Sequence, residues 1–177
     1  MIKRVGERVI FQTKLFTVKD IDLQAPKGNV TFQIVEKKDT ALIVPIIGED
    51  VILIKEYFAA IDAYSLSVPK GRVEEGNNPL DTANKELQEE IGYKAGRLEQ
   101  LTTFTLSPGY LAQKTHVFLA EELTESKLEG DEIEEVEIVR YPFAKFEELI
   151  GKGDLSEARV IAALFLARNH VIGKHML

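Results

Sequence analysis

The sequence predicts an α/β protein whose first forty residues form a small β unit. Residues 15–23 and 30–35 have the alternating, β-branched character of strands, and the turn signal Ala25-Pro26-Lys27-Gly28 lies between them. Residues 41–47 and 51–57 are more strongly apolar and flank Gly48-Glu49-Asp50, a second hairpin signal. Helical patterns follow later in the chain, so the sequence contains both strands and helices, as expected of an α/β protein.

The amino-terminal hairpin is too small to be stable alone, because a two-stranded sheet is marginal in water. It must pack on the rest of the chain or on a second copy of the protein, and the second option predicts a homodimer. We therefore divide the chain into a dimerisation subdomain, residues 1–39, and a main domain, residues 40–177.

The first convincing helix is predicted over residues 79–91. Asn78 is a good N-cap, Pro79 suits the first turn, and Asp81 places a negative charge where the helix dipole favours it. Gly92 follows the last apolar residue and is expected to end the helix. The remaining patterns predict strands near 98–105, 115–120 and 136–140, a short helix over 143–149 and a longer apolar helix over 156–170.

The composition excludes several classes of protein. The 177 residues carry a net charge of −7, which argues against broad nucleic-acid binding because such proteins need a basic surface. No apolar run approaches the roughly 20 residues that cross a bilayer, and the first residues lack a secretory signal. The chain has no cysteine, hence no disulfide or thiolate chemistry. We expect a cytoplasmic protein without a nucleic-acid or membrane partner.

The predicted helix carries a cluster of carboxylates beside a buried stripe of Leu80, Ala83, Leu87 and Ile91. Glu86, Glu89 and Glu90 are spaced i, i+3 and i+4, so an ideal helix points all three into an arc of roughly 100°. Two such charges about 5 Å apart repel by roughly 3 kcal/mol at an effective dielectric near 20. A divalent cation would relieve that repulsion, although such a run also suits a solvated acidic face.

Residues 69–93, PKGRVEEGNNPLDTANKELQEEIGY, place this helix in a longer pattern. The segment resembles the Nudix box, G-x5-E-x7-R-E-U-x-E-E-x-G-U, where U is an apolar residue. The matching positions are Gly71, Glu86, Leu87, Glu89, Glu90 and Gly92, with Tyr93 as a loose final match. Asn77 stands in place of the first Glu and Lys85 in place of the Arg. In the family these two residues are expected to interact and to hold the loop against the helix. Because both are changed together here, the metal site is expected to be retained.

The resemblance extends along nearly the whole chain. The segments LFTVKDIDL, ALIVPI, VILIKEY, SPGY, SKLEGDE and SEARVIAALFLAR are similar to the ADP-ribose pyrophosphatase branch of the Nudix hydrolases. The resemblance implies an α/β/α sandwich around a mixed sheet, preceded by a small antiparallel β domain that forms a homodimer.

The resemblance also implies the residues of a metal-dependent active site. It assigns two or three Mg²⁺ ions, or Mn²⁺ as an alternative, to Glu86, Glu89 and Glu90. It also implies the main chain of Lys70 as an additional ligand. Glu89 is also a candidate catalytic residue. A glutamate of the acidic segment 128–138 is implied as general base, and Glu132 and Glu134 match it equally well.

Candidate substrate-binding residues lie in two further segments. By resemblance, Pro108, Gly109 and Tyr110 belong to a loop that contacts the substrate, although a plain turn explains the same residues. Tyr57 is a further candidate, since Tyr57 and Phe58 occupy a place where many members carry a substrate-binding arginine. The absence of that arginine leaves the choice of substrate open.

The predicted activity is Mg²⁺-dependent hydrolysis of a pyrophosphate bond in a nucleoside-diphosphate-linked small molecule. ADP-ribose, NADH and diadenosine polyphosphates are the substrates that the resemblance suggests, with AMP and a phosphorylated moiety as products. Two alternatives remain: a nucleoside-diphosphate-sugar hydrolase, and a Nudix-like nucleotide sensor without turnover. A sensor would be expected to lack box glutamates, and this chain retains three.

Overall fold

The computed structural model describes residues 1–130 and 136–175, which form two sheets flanked by helices. The strands are β1 (Lys3–Gln12), β2 (Thr17–Ala25), β3 (Gly28–Glu36), β4 (Thr40–Ile47), β5 (Asp50–Phe58), β6 (Ala63–Ser67), β7 (Lys70–Arg72), β8 (Tyr93–Thr105), β9 (Leu111–Ala112), β10 (Lys114–Glu125) and β11 (Glu137–Pro142). The helices are α1 (Pro79–Glu86), α2 (Glu147–Lys152) and α3 (Ala158–His175), with a π-helical turn at Leu87–Ile91 and a 3-10 turn at Phe143–Lys145.

The amino-terminal sheet has the strand order β1-β2-β3-β9. Its β2 and β3 form the predicted hairpin, with Ala25 paired to Gly28 across the turn. β1 adds an antiparallel strand, which the sequence patterns did not predict as a separate strand. The short β9 pairs with β3 in parallel. The expected small antiparallel unit is confirmed, and β9 links it directly to the rest of the chain.

The larger sheet has the order β11-β5-β4-β10-β8, with β6 paired to β5 and β7 paired to β4. β4 and β10 run parallel, and the other pairs are antiparallel, so the sheet is mixed as expected. β6 and β7 were not predicted, because the sequence between β5 and the first helix has little strand periodicity. β7 is the strand that brings the start of the box to the sheet.

Helices cover both faces of this sheet because its central strands are apolar on both sides. Leu42 and Val44 of β4 pack in one core with Val160 and Leu164 of α3. Ala41 and Ile43, which alternate with them, pack in a second core with residues of the box helix, namely Ala83, Leu87 and Ile91. The arrangement is the expected α/β/α sandwich, and it places the box helix against one face.

The box helix begins and ends where the sequence predicts. The Asn78 side chain accepts a hydrogen bond from the Leu80 amide at 3.0 Å, and Gly92 ends the helix in the left-handed region at φ 72°. Its last five residues are π-helical, with the Gly92 amide donating to the Leu87 carbonyl. Leu80 is exposed, so the buried stripe is one residue shorter than expected. None of the helices within the described ranges is long and apolar enough to cross a bilayer.

Candidate active site

The site begins where β7 meets the end of the box helix. β7 pairs antiparallel with the first half of β4, and Gly71 pairs with Ala41, which packs in the same core as the box helix. A Cβ at residue 71 would overlap the Glu86 carboxylate, which lies directly against the backbone there. Glycine is therefore required at residue 71 for this carboxylate to reach the strand.

Glu90 approaches the same strand one helical turn later. Its carboxylate accepts a hydrogen bond from the Lys70 amide at 3.1 Å, and only 8% of the residue is exposed. Burial, joined by smaller contributions from the charges of Glu86 and Glu56 and opposed by Lys70, raises the pKa of the Glu90 carboxyl to about 8. The carboxylates of Glu86 and Glu90 thus both lie against the backbone of Lys70 and Gly71. The positive charge of Lys70 does not offset the effect of burial on the pKa of Glu90.

Glu89 is also buried, but its carboxylate has a different neighbour. Both of its oxygens accept hydrogen bonds from Lys85 Nζ at 2.6 Å, and its main-chain oxygen accepts one from Lys127 Nζ at 2.6 Å. Lys85, which replaces the arginine of the box, therefore pairs with a box glutamate. The expected patch of three carboxylates is divided, since Glu86 and Glu90 contact β7 whereas Glu89 contacts Lys85.

The ligand set can be compared with what a divalent cation needs. Among the residues that the structure describes, no three Asp, Glu, His or Cys side chains are grouped as a ready metal site. Mg²⁺ needs only one or two carboxylates, because it keeps several waters and adds substrate phosphate oxygens. The carboxylates of Glu86 and Glu90 offer hard oxygen ligands at one strand, which fits such an ion. The metal roles of Glu86, Glu89, Glu90 and the Lys70 main chain stay predictions.

A second set of polar side chains adjoins these carboxylates, and sequence analysis missed it. The Lys70 ammonium forms an ion pair with Glu56 of β5 and a hydrogen bond with Ser67 Oγ at 3.0 Å. It also lies 5.2 Å from the centre of the Phe58 ring. The available signal was alternation: Glu56 is two residues after Ile54 and so belongs on the same face of β5, the face that packs with the box helix.

The predicted substrate-binding residues lie apart from the carboxylates. Tyr57 is on the opposite side of β5 from Glu56, and its hydroxyl donates to Asp62 Oδ1 at 2.5 Å. The residues of the SPGY turn, Pro108, Gly109 and Tyr110, are exposed. Pro108 lines a cavity of about 870 Å³ between the two sheets, and no box glutamate lines it. The substrate roles of these residues stay predictions.

The two candidates for the general base, Glu132 and Glu134, lie outside the described residues. The segment that leads to them is held against the π-helical turn. Ser126 Oγ donates to the Gln88 side chain at 2.8 Å, and the Leu128 amide donates to the Gln88 carbonyl at 3.1 Å. Ser126 and Leu128 therefore lie against the helix that carries Glu86 and Glu90.

The histidines that the structure describes with their side chains take no part in this site. His116 lies 3.3 Å from Asp39, and His170 lies 3.0 Å from Glu99. Both histidines therefore lie beside carboxylates other than the box glutamates.

The chain is similar to several characterised proteins. The model for the NUDIX domain matches residues 36–164. The ADP compounds hydrolase NudE of Escherichia coli K12 is 34% identical over 170 residues, which are 93% of this chain and 90% of that protein. The ADP-ribose pyrophosphatase of Bacillus subtilis 168 is 31% identical over 172 residues, 92% of this chain and 93% of that protein.

A solved structure gives the same result in three dimensions. The crystal structure of an ADP compounds hydrolase superposes with a TM-score of 0.89 at 32% sequence identity, and the match covers 99% of this chain and 97% of that one. The matched region contains β4 to β11, the box helix and the Lys70–Gly71 contact. The chain therefore belongs to the NUDIX family and is a Nudix hydrolase.

Proposed function

We propose that this enzyme hydrolyses the pyrophosphate bond of nucleoside-diphosphate-linked compounds with Mg²⁺, releasing a nucleoside monophosphate and a phosphorylated moiety. The observation that carries the proposal is the meeting of the Glu86 and Glu90 carboxylates at the Lys70–Gly71 backbone. ADP-linked compounds are the first candidates, since two relatives are named as an ADP compounds hydrolase and an ADP-ribose pyrophosphatase. ADP-ribose, NADH and diadenosine polyphosphates belong to this class.

The proposed roles of the residues follow from their contacts. Glu86 and Glu90 would hold the divalent cation, with the Lys70 main chain beside them and Glu89 in support. The Lys70 amide fixes the Glu90 carboxylate, and Gly71 leaves room for that of Glu86. When bound, the cation neutralises phosphate charge and lowers the pKa of an attacking water. Positioning and charge stabilisation would account for most of the rate, as is general for phosphoryl transfer.

The general base is proposed to come from the acidic loop. Glu132 and Glu134 remain equal candidates, with Glu89 as a third catalytic carboxylate. The hydrogen bonds from Ser126 and Leu128 to Gln88 support this proposal, because they anchor one end of the loop to the box helix. A base on such a loop would reach the water only when the loop lies over the substrate.

The assembly is proposed to be a homodimer formed through residues 1–39, with residues 40–177 as the catalytic domain. Support comes from large apolar side chains that β1 and β3 leave exposed, namely Val5, Val9, Phe11, Val30 and Phe32. A dimer would also bring a second chain near the exposed Tyr57, Pro108, Gly109 and Tyr110, the residues proposed to contact substrate. We propose a cytoplasmic location.

The proposal is tested by a chromatographic product assay with Mg²⁺ over ADP-ribose, NADH, diadenosine triphosphate and UDP-glucose. Release of AMP from the adenine compounds is expected. Cleavage of UDP-glucose alone would favour the nucleoside-diphosphate-sugar alternative. Binding of these compounds without any product would favour a nucleotide sensor and refute the proposal.

The contact between Gly71 and Glu86 gives the first prediction. Gly71→Ala should lower kcat/KM by about tenfold to a hundredfold, because the new methyl group displaces the Glu86 carboxylate. Thermal unfolding should change little, since the displaced group is a side chain. Gly151→Ala is the matched control, because a Cβ there meets no atom within 4 Å. Equal activity of the two variants would contradict the assignment of Glu86.

The raised pKa of Glu90 gives the second prediction. The folded protein binds a proton at Glu90 up to about pH 8, whereas the unfolded chain loses it near the ordinary value of 4.5. The metal-free protein should therefore lose stability as the pH rises between these values. Glu90→Gln should be the more stable protein at about pH 8.5, by on the order of a few kcal/mol, and equal to wild type at about pH 5.

The measurement is urea unfolding in EDTA at both pH values. Added Mg²⁺ should restore the wild type at the higher pH, because the ion binds the deprotonated carboxylate. Parallel pH profiles for the two proteins would show that Glu90 is not the titrating group.

The exposed apolar residues of the amino-terminal sheet give the third prediction. Deletion of residues 1–38 should convert a dimer into a monomer or an aggregate, because it removes the surface proposed to join two copies. Sedimentation velocity on the purified proteins measures this directly. A folded, fully active dimer lacking these residues would refute the role of the sheet.

A further inference from the structure

The side chain of Lys70 is an unusual feature of the site. Its ammonium is enclosed by the ion pair with Glu56, the hydrogen bond with Ser67 and the face of the Phe58 ring. Only 14% of the side chain is exposed. Lysine is seldom this buried unless its charge is paired, because its strongly hydrated ammonium is costly to remove from water.

Stability alone does not account for this arrangement. A partly buried ion pair gives little net stabilisation, because desolvation of both charges offsets their attraction. The contacts described here use two of the three N–H donors of the ammonium, leaving one hydrogen-bonding direction for another acceptor. The surrounding groups thus fix the position of the Lys70 ammonium and leave it able to bind an anion.

The position of the ammonium indicates which anion this is. The same residue donates its amide to Glu90, and the next residue contacts Glu86. The positive charge of Lys70 also acts on Glu90, where it opposes the rise in pKa. A diphosphate held by a cation at these carboxylates would bring its oxygens toward the Lys70 ammonium, because Glu56, which pairs with the ammonium, lies on the same face of β5 as Ile54, a residue of the core that contains the box helix.

We propose that the Lys70 ammonium is a phosphate-binding group of this site and contacts an oxygen of the substrate diphosphate. Glu56 and Ser67 fix its orientation, and the Phe58 ring limits its access to water. This inference rests on the proposed function, since it names the side chain that binds the diphosphate of that substrate. It assigns to β7 a role beyond its main-chain contact with Glu90.

The competing explanation is that Lys70 serves only as a counter-charge for the neighbouring glutamates. The two explanations differ in what loss of the ammonium does. A phosphate-binding group contributes to diphosphate binding whether or not a divalent cation is present. A counter-charge acts through the glutamates, so its loss would strengthen binding of the divalent cation and, with it, binding of the diphosphate in the presence of Mg²⁺.

The experiment compares Lys70→Met with Lys70→Arg and with the matched control Lys55→Met. Lys55 precedes Glu56 on β5 and also has a glutamate partner, Glu137 at 3.3 Å, and an aromatic ring, Tyr64 at 6.0 Å. It is 44% exposed and lies on the opposite side of the strand from Glu56. It therefore reproduces the local chemistry of Lys70 away from the carboxylates.

The measurement is isothermal titration calorimetry of the full chain with α,β-methylene-ADP, a diphosphate that hydrolysis at the bridging position cannot cleave. Each protein is titrated once with Mg²⁺ and once with EDTA. Lys70→Met should bind about tenfold more weakly or worse under both conditions, the loss expected for one charge-assisted hydrogen bond. Lys70→Arg should recover most of the affinity, and Lys55→Met should bind as the wild type does.

Three results would overturn the inference: unchanged or stronger affinity of Lys70→Met, a loss confined to the titration with Mg²⁺, or wild-type binding that requires Mg²⁺. If Lys70→Met does not fold by circular dichroism, Lys70→Gln replaces it, since the amide keeps a hydrogen-bond donor for Glu56 but removes the charge. Weaker analogue binding by that variant under both conditions supports the inference, and unchanged or stronger binding refutes it. Because the analogue needs no turnover, failure of the product assay is distinguishable from failure here.

Discussion

The close contact between the Glu86 carboxylate and the backbone of residue 71 is the constraint on which this site depends. It requires a glycine in β7, and it requires β7 to pair with β4 so that the strand faces the end of the box helix. The apolar residues Ala83, Leu87 and Ile91 hold that helix against the sheet. The hydrophobic core thus determines how near the carboxylates come to the strand.

The electrostatics of the site follow from that packing. A helix pressed against the sheet buries Glu90, and burial in turn raises the pKa of its carboxyl to about 8. Lys70 and Lys85 each supply positive charge, Lys70 beside Glu56 and Lys85 on Glu89. Glu86 and Glu90 approach the backbone of Lys70 and Gly71 from the box helix. A divalent cation bound there, as proposed, would lower the free energy of the ionised site.

Local signals in the sequence predicted much of this architecture. The cap at Asn78, the end at Gly92 and the paired apolar strands around Gly48 depend on near neighbours, and all are present. Other features depend on residues far apart in the chain. The short strands β6 and β7 exist because β5 and β4 pair with them, and the Glu56–Lys70 pair joins two such strands. The ideal helical period also failed at Leu87–Ile91, which form a π-helical turn.

The central claim is that Glu86 and Glu90, gathered at Lys70–Gly71, together hold a divalent cation. Electron paramagnetic resonance of Mn²⁺ titrated into the protein tests it most directly, because free and bound Mn²⁺ give different signals. The wild type is expected to bind Mn²⁺, and Glu86→Gln is expected to bind it at least about tenfold more weakly, since a neutral amide replaces one of two charged ligands. Equal Mn²⁺ binding by the wild type and Glu86→Gln would contradict the claim.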